Sequence, residues 1–182
     1  MSATETPDVN GKAALITGAS GGIGGETARR LAKAGAKVAV HYNSNADSAN
    51  EIVAQITSAG GTAIAVGGDV TDEAACKAIV EKTVSELGGL DILVNNAVAC
   101  LTHGFAKELG EKGITVNAVS PGATHTPMTA WLPDDMVKSI SDATPLSRLS
   151  MPDDIADVIV FLASPASRWV NGRSVVVDGG LV

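Results

Sequence analysis

Cysteine is scarce in this 182-residue chain. Cys76 and Cys100 are the only two, at neither metal nor redox spacing, so free thiols in a reducing compartment are expected of them. Runs of lysine and arginine are missing as well, and the net charge is −7. That field repels nucleic acid and anionic membranes, so neither is expected as a partner. No stretch approaches about eighteen consecutive apolar residues, and no membrane span is expected. The opening "MSATETPDVNGK" is polar and acidic, without the basic and apolar regions of a signal peptide. A cytoplasmic protein with a flexible start over residues 1–10 is the expectation. No internal repeat, low-complexity tract or linker divides the chain, and residues 1–182 read as one domain.

Apolar side chains are abundant, at 45% against 18% charged, and glycine occurs 20 times. These values describe a soluble globular domain with a real core and many tight turns. On an acidic chain, an anionic cofactor would need local donors such as backbone N–H groups.

Strand-like and helix-like segments alternate from residue 12 onward. "KAALIT" is a short apolar run stopped by glycine, as a strand buried on both faces would be. The next segment, "GIGGETARRLAKAG", places Ile23, Thr27 and Leu31 on one helical face, and Gly35 closes it. "KVAVHY" predicts a second strand, 46–58 a helix, "TAIAVGGDV" a third strand and 72–87 a third helix. "DILVNN" predicts a fourth strand, "LTHGFAKELGEKG" a helix and "ITVNAVSPG" a fifth strand. Residues 123–147 show no clean period, contain Pro127, Pro133 and Pro145, and read as a mobile flap. "MPDDIADVIVFLASP" has Pro152 in its first turn and acids suited to the helix dipole; "SVVVDGG" predicts a last strand. The alternation implies an α/β fold: a doubly wound parallel sheet in a three-layer Rossmann arrangement.

The chemistry-bearing residues collect at strand ends. In "TGASGGIG", Gly18 and Gly22 permit a tight turn and close approach of a ligand, and Gly24 permits close helix packing. The N–H groups at the helix start, Ile23 among them, would form a pyrophosphate site, although tight turns need glycine in any case. After the second strand an NAD-specific site would place Asp or Glu, but here Tyr42, Asn43 and Ser44 stand first. With Ser20 across the turn they could accommodate a 2′-phosphate, so NADP(H) is favoured over NAD(H); an ordinary polar loop is the alternative. Asp69, with Val70 beside it, reads as an adenine ligand or as a helix N-cap. Asn95 and Ala97, in "NNA", end the fourth strand, where open α/β sheets bind ligands.

The ordered set "TGASGGIG", "DV", "NNA", "VNAVSPG", "TPM" and "NGRSVVVDGG" resembles the short-chain dehydrogenase/reductase family, especially its ketoreductases, over nearly the whole chain. The resemblance implies an NAD(P)(H)-dependent oxidoreductase that transfers hydride to or from a small ketone or alcohol. It also implies that Pro121 and Gly122 lie under the nicotinamide and that Thr124 and Thr126 bind its carboxamide and the pyrophosphate; a turn plus a cap is the alternative.

The resemblance breaks after "NNA". In the family a helix, a strand carrying a serine and a Tyr-x-x-x-Lys helix follow; here "NNAV" runs directly into "ACLTHGFAKELG". The missing piece is on the order of 50–60 residues, more than a βαβ step. Tyr42 is the only tyrosine, and it lies at the adenosine end. No catalytic residue is therefore assigned, and no metal ligand. His125 is the one titrating group expected near the nicotinamide, and a solvated loop histidine is the stronger reading of it. An impaired oxidoreductase, a catalytically dead nucleotide-binding or dimer-partner protein, and an incomplete isoform all fit. Any homo-oligomer of the family's helix-bundle type would be compromised by the loss. The sheet is expected to close over the junction, with 114–119 pairing beside 91–95 in a six-stranded sheet one helix–strand unit short of the family's.

Overall fold

A computed structural model describes residues 9–95, 102–111 and 113–181. Its elements run β1 (Ala13–Ile16), α1 (Gly22–Lys33), β2 (Lys37–Tyr42), α2 (Ala46–Ser58), β3 (Thr62–Gly67), α3 (Glu73–Leu87) and β4 (Ile92–Val94). They continue with α4 (Thr102–Gly110), β5 (Ala118–Pro121), α5 (Asp134–Ala143), α6 (Pro152–Leu162) and β6 (Ser174–Val177). The strands are parallel in the order β3-β2-β1-β4, and β5 pairs with β6 in a second sheet.

Period-two alternation splits the central strands between two cores. Ala14 and Ile16 of β1, with Val38 and Val40 of β2, face Leu31 of α1, Ile52 and Ile56 of α2, and Val160 of α6. Their neighbours Ala13, Leu15 and Ala39 face Val66, Ile79 and Leu87 on the α3 side. Helices on both faces of a parallel sheet give the doubly wound α/β arrangement expected from the alternation.

Local chemistry sets the helix ends. The side chain of Asn45 accepts the Ser48 N–H at the start of α2, and Asp72 accepts from Ala74 and Ala75 at the start of α3. Gly88 closes α3 in the left-handed conformation. At α6, Pro152 occupies the first turn and Asp154 accepts the Met151 N–H at 2.7 Å.

Three expectations are corrected. Val9 is 1% exposed and packs into the larger core, and the Gly11 N–H bonds to the Gly35 carbonyl at 2.9 Å, so residues 9 and 10 do not belong to a flexible start. Residues 123–147 do contain a regular element, helix α5, none of whose residues is buried. Sheet closure also fails: among the described residues no pairing joins 91–95 to 114–119. The second sheet is held elsewhere. Asn171 accepts the Val116 N–H at 2.8 Å, and the Asn117 side chain donates to the Val170 carbonyl at 2.8 Å. Helix α6 packs on α1, where Arg30 pairs with Asp153 at 2.9 Å and with Asp157. The cost of an unclosed sheet, burial of unpaired backbone, is small at β4, where Leu93 is 58% exposed and no strand covers the edge among the described residues.

Candidate functional site

A cleft of about 270 Å³ opens at the carboxyl ends of β1, β2 and β4, lined by Thr17, Gly18, Ser20, His41, Asn43, Ser44, Asn45, Val70 and Asn95. The walls come from the turn between β1 and α1, the end of β2 and the segment between β2 and α2, the segment between β3 and α3, and Asn95 just after β4. Six of the expected binding residues meet here: Gly18, Ser20, Asn43, Ser44, Val70 and Asn95. No Asp, Glu, Lys or Arg is among the lining residues.

The glycine-rich turn is tied on both sides. The Thr17 N–H bonds to the Val94 carbonyl at 2.9 Å, and the Thr17 hydroxyl donates to the Asn95 Oδ1 at 3.1 Å. On the other side the Ala19 N–H donates to the His41 carbonyl at 2.8 Å, and the Gly18 N–H to the His41 Nδ1 at 3.2 Å. Helix α1 then starts at Gly22 without any side-chain cap, and the N–H groups of Gly22, Ile23 and Gly24 have no acceptor within the helix. Such an end, positive by its dipole, suits a phosphate or another anion. Gly22 has φ +55°, the left-handed region, Gly24 and Gly25 are both buried on the inner side of α1, and the packing at Gly25 is tight. A Cβ there would sit 2.9 Å from the Ile52 Cδ1 and 3.3 Å from the Ala19 carbonyl oxygen.

Other expected residues lie apart from the cleft. Tyr42 packs against the larger core with its ring across Gly67, where an added Cβ would approach the ring to 2.7 Å. Asp69 is fully exposed and accepts the Thr71 N–H at 2.9 Å and the Thr71 hydroxyl at 2.8 Å; these bonds hold its carboxyl below the ordinary range. The cap of α3 is Asp72, so the N-cap alternative for Asp69 is corrected. Pro121 ends β5, and the Gly122 N–H bonds to the Val177 carbonyl at 2.9 Å. Thr124 is buried, with its hydroxyl 2.9 Å from the Gly122 carbonyl and 2.7 Å from the Ser150 hydroxyl. Thr126 donates its N–H to the Thr129 Oγ1 at 2.8 Å and brings its methyl group over Gly22. Ala97 lies outside the described residues, as does Cys100.

The sequence assigns no binding role to Thr17, His41, Asn45 or Thr129, the first three of which line the cleft. Thr129 organises the flap by donating its hydroxyl to the Thr124 carbonyl at 2.7 Å. The available signal for His41 is a basic ring directly after the apolar run Val38–Val40. Thr129 carried none, since its role depends on the path of the flap. Among the described residues no group of His, Cys, Asp and Glu could hold a metal ion, and no helix is long and apolar enough to cross a membrane.

Residues 12–99 match the family model described as short chain dehydrogenase, and residues 96–182 match one described as enoyl-(acyl carrier protein) reductase. The chain is 33% identical over 246 residues to an uncharacterized oxidoreductase of Methylorubrum extorquens, covering 95% of this chain and 98% of the relative. It is 30% identical over 264 residues to a hydroxynaphthalene reductase-like protein of Metarhizium robertsii, covering 100% and 99%. Among solved structures, a short chain dehydrogenase of Burkholderia cenocepacia in complex with NADP superposes with a TM-score of 0.87 at 30% identity, covering 96% of this chain and 99% of that one. Sequence, family models and superposition agree: the chain belongs to the short-chain dehydrogenase/reductase family.

Proposed function

We propose that this chain binds NADP(H) in the cleft and, in its present form, reduces ketones negligibly. The observation that carries the reading is the uncapped start of α1 beside a cleft walled by Asn43, Ser44 and Ser20, with no acid between β2 and α2. The N–H groups of Gly22, Ile23 and Gly24 would receive the pyrophosphate. Ser20, Asn43 and Ser44 would receive a 2′-phosphate, which an Asp or Glu at that position would repel. Val70 and Asn95 would flank the adenosine, and Thr126 stands where it could close over the phosphates. Pro121, Gly122 and Thr124 would border the nicotinamide, whose chemistry, when bound, is hydride transfer.

The other half of the reaction, protonation of the substrate oxygen, lacks a candidate. The sole tyrosine packs on Gly67, and no Tyr-x-x-x-Lys occurs. Two observations support an internal shortening of a family member. The two family models meet at residues 96–99, and 182 residues cannot fill the 264 aligned positions of the Metarhizium relative. A nucleotide-binding protein without its own turnover and an incomplete product of a longer message both follow from such a junction. Sequencing the transcript across Asn96–Val98 separates them. Titration of NADPH fluorescence with the purified protein tests the binding itself, with no change in emission at millimolar cofactor as the outcome that sinks it.

A further inference from the structure

We propose that His41 is the positioning residue of the glycine-rich turn and holds it in the form that receives the dinucleotide. The proposal rests on the nucleotide reading above and names a residue which that reading does not use. His41 lies on β2, is 2% exposed and borders the cleft. Its Nδ1 accepts the Gly18 N–H at 3.2 Å, and its Nε2 lies 2.9 Å from the Gly68 carbonyl oxygen. A carbonyl can only accept, so Nε2 carries the proton and Nδ1 is bare. The ring is thus one neutral tautomer, satisfied on both sides.

The two contacts reach different walls. Gly18 belongs to the turn before α1, and Gly68 opens the segment that carries Val70. One side chain therefore sets the spacing of two loops across the cleft. It also decides which donors face a ligand. The N–H groups of Thr17 and Ala19 are taken by the Val94 and His41 carbonyls and that of Gly18 by the His41 ring, so the backbone donors left for an anion begin beyond Ala19 and run into the start of α1. Without an acceptor at Nδ1, Gly18 would have to turn its N–H elsewhere and carry the approach to α1 with it.

Two near-isosteric variants divide the two bonds. His41→Asn places an amide oxygen where Nδ1 was, keeping the Gly18 bond but falling short of Gly68. His41→Gln reaches the Nε2 position, keeping the Gly68 bond but leaving Gly18 without an acceptor. The measurements are the NADPH dissociation constant by fluorescence and amide hydrogen exchange at Gly18, with melting temperature as a check on folding. His41→Asn should bind within a fewfold of the parent, while His41→Gln should bind on the order of tenfold more weakly at a similar melting temperature. The Gly18 amide should be protected in the parent and in His41→Asn, and exposed in His41→Gln. If the parent binds and the two variants bind alike, the positioning role is wrong and the nucleotide reading stands. If the parent does not bind NADPH, the nucleotide reading falls and this role falls with it.

Discussion

Thr126 lies over Gly22: a Cβ built on Gly22 would come to 3.6 Å from the Thr126 Cγ2 and 3.7 Å from its Cβ. The flap after β5 thus meets the glycine-rich turn at the point where the uncapped end of α1 begins. An anion held by α1 would be enclosed between the two. Gly22→Asp should then act twice, by forcing a side chain into φ +55° and by placing a carboxylate at the helix end. The backbone term is on the order of 1–2 kcal/mol. NADPH binding should vanish in Gly22→Asp and weaken only in part in Gly22→Ala, as fluorescence titration would read. Equal binding by both variants would show that charge at this end of α1 is irrelevant.

Ketone reduction should be negligible. A positioned proton donor is typically worth ~10²–10⁴ in rate, and among the described residues the one titrating side chain next to Thr124 and Thr126 is His125. His125 stands between them, exposed, with its own N–H bonded to the Ser150 carbonyl at 2.8 Å. A panel of ketones assayed with saturating NADPH should give no turnover above background, and His125→Ala should change nothing. Turnover that disappears in His125→Ala would make that histidine the general acid.

Most of this layout was legible because local rules and tertiary demands agreed. The apolar run at 13–16 is buried on both sides, and the helix over 46–58 begins after Asn45 as its capping chemistry requires. Helix α5 is hard to read from the sequence because prolines flank it and its apolar face is only Met136, Val137 and Ile140. The failure of closure has a different origin. Strand alternation is indifferent to which edges meet, and the position of β5 follows from long-range ties to residues 170–173 and from α6. Likewise the cleft residues Asn43 and Ser44 followed from the strand end, whereas the use of His41 depends on two loops that only the fold brings together.

Acid should loosen the start of α6. Asp154 accepts both guanidinium nitrogens of Arg148, at 2.6 and 2.9 Å, and the Met151 N–H at 2.7 Å. The Arg148 guanidinium, then the Met151 N–H, hold its carboxyl down at about 2. A carboxyl depressed on folding contributes stability that is complete above its ordinary value near 4 and is lost as the pH falls toward 2. The side chains are 52% and 35% exposed, so solvent screening limits the contribution to roughly 1 kcal/mol. Asp154→Asn should lower stability by about that amount at pH 7 and by much less at pH 2. Chemical denaturation at the two pH values reads the difference, and an equal loss at both would mean the charge plays no part.

The two sheets should differ in how easily they open. Four strands with cores on both faces make up the first, whereas β5 and β6 form a pair that has no strand neighbour among the described residues. A two-stranded unit is marginal by itself and depends on what packs against it. Here the support is α6, which buries Val160 in the larger core and lies on α1. Arg30 reinforces that contact, reaching Asp153 and Asp157 from α1 while Glu26 holds its Nε at 3.0 Å. Amide exchange at 118–121 and 174–177 should therefore be faster than at 13–16 and 37–42. Arg30→Met keeps the apolar stem and removes the ion pairs, so the expected loss is about 1 kcal/mol. That loss should appear as faster exchange in β5 and β6 with little change in β1 and β2. If all six strands exchange at one rate in the parent protein, and Arg30→Met shifts them together, the two sheets unfold as a single unit and α6 is no weaker a joint than the hydrogen-bonded ladder it replaces.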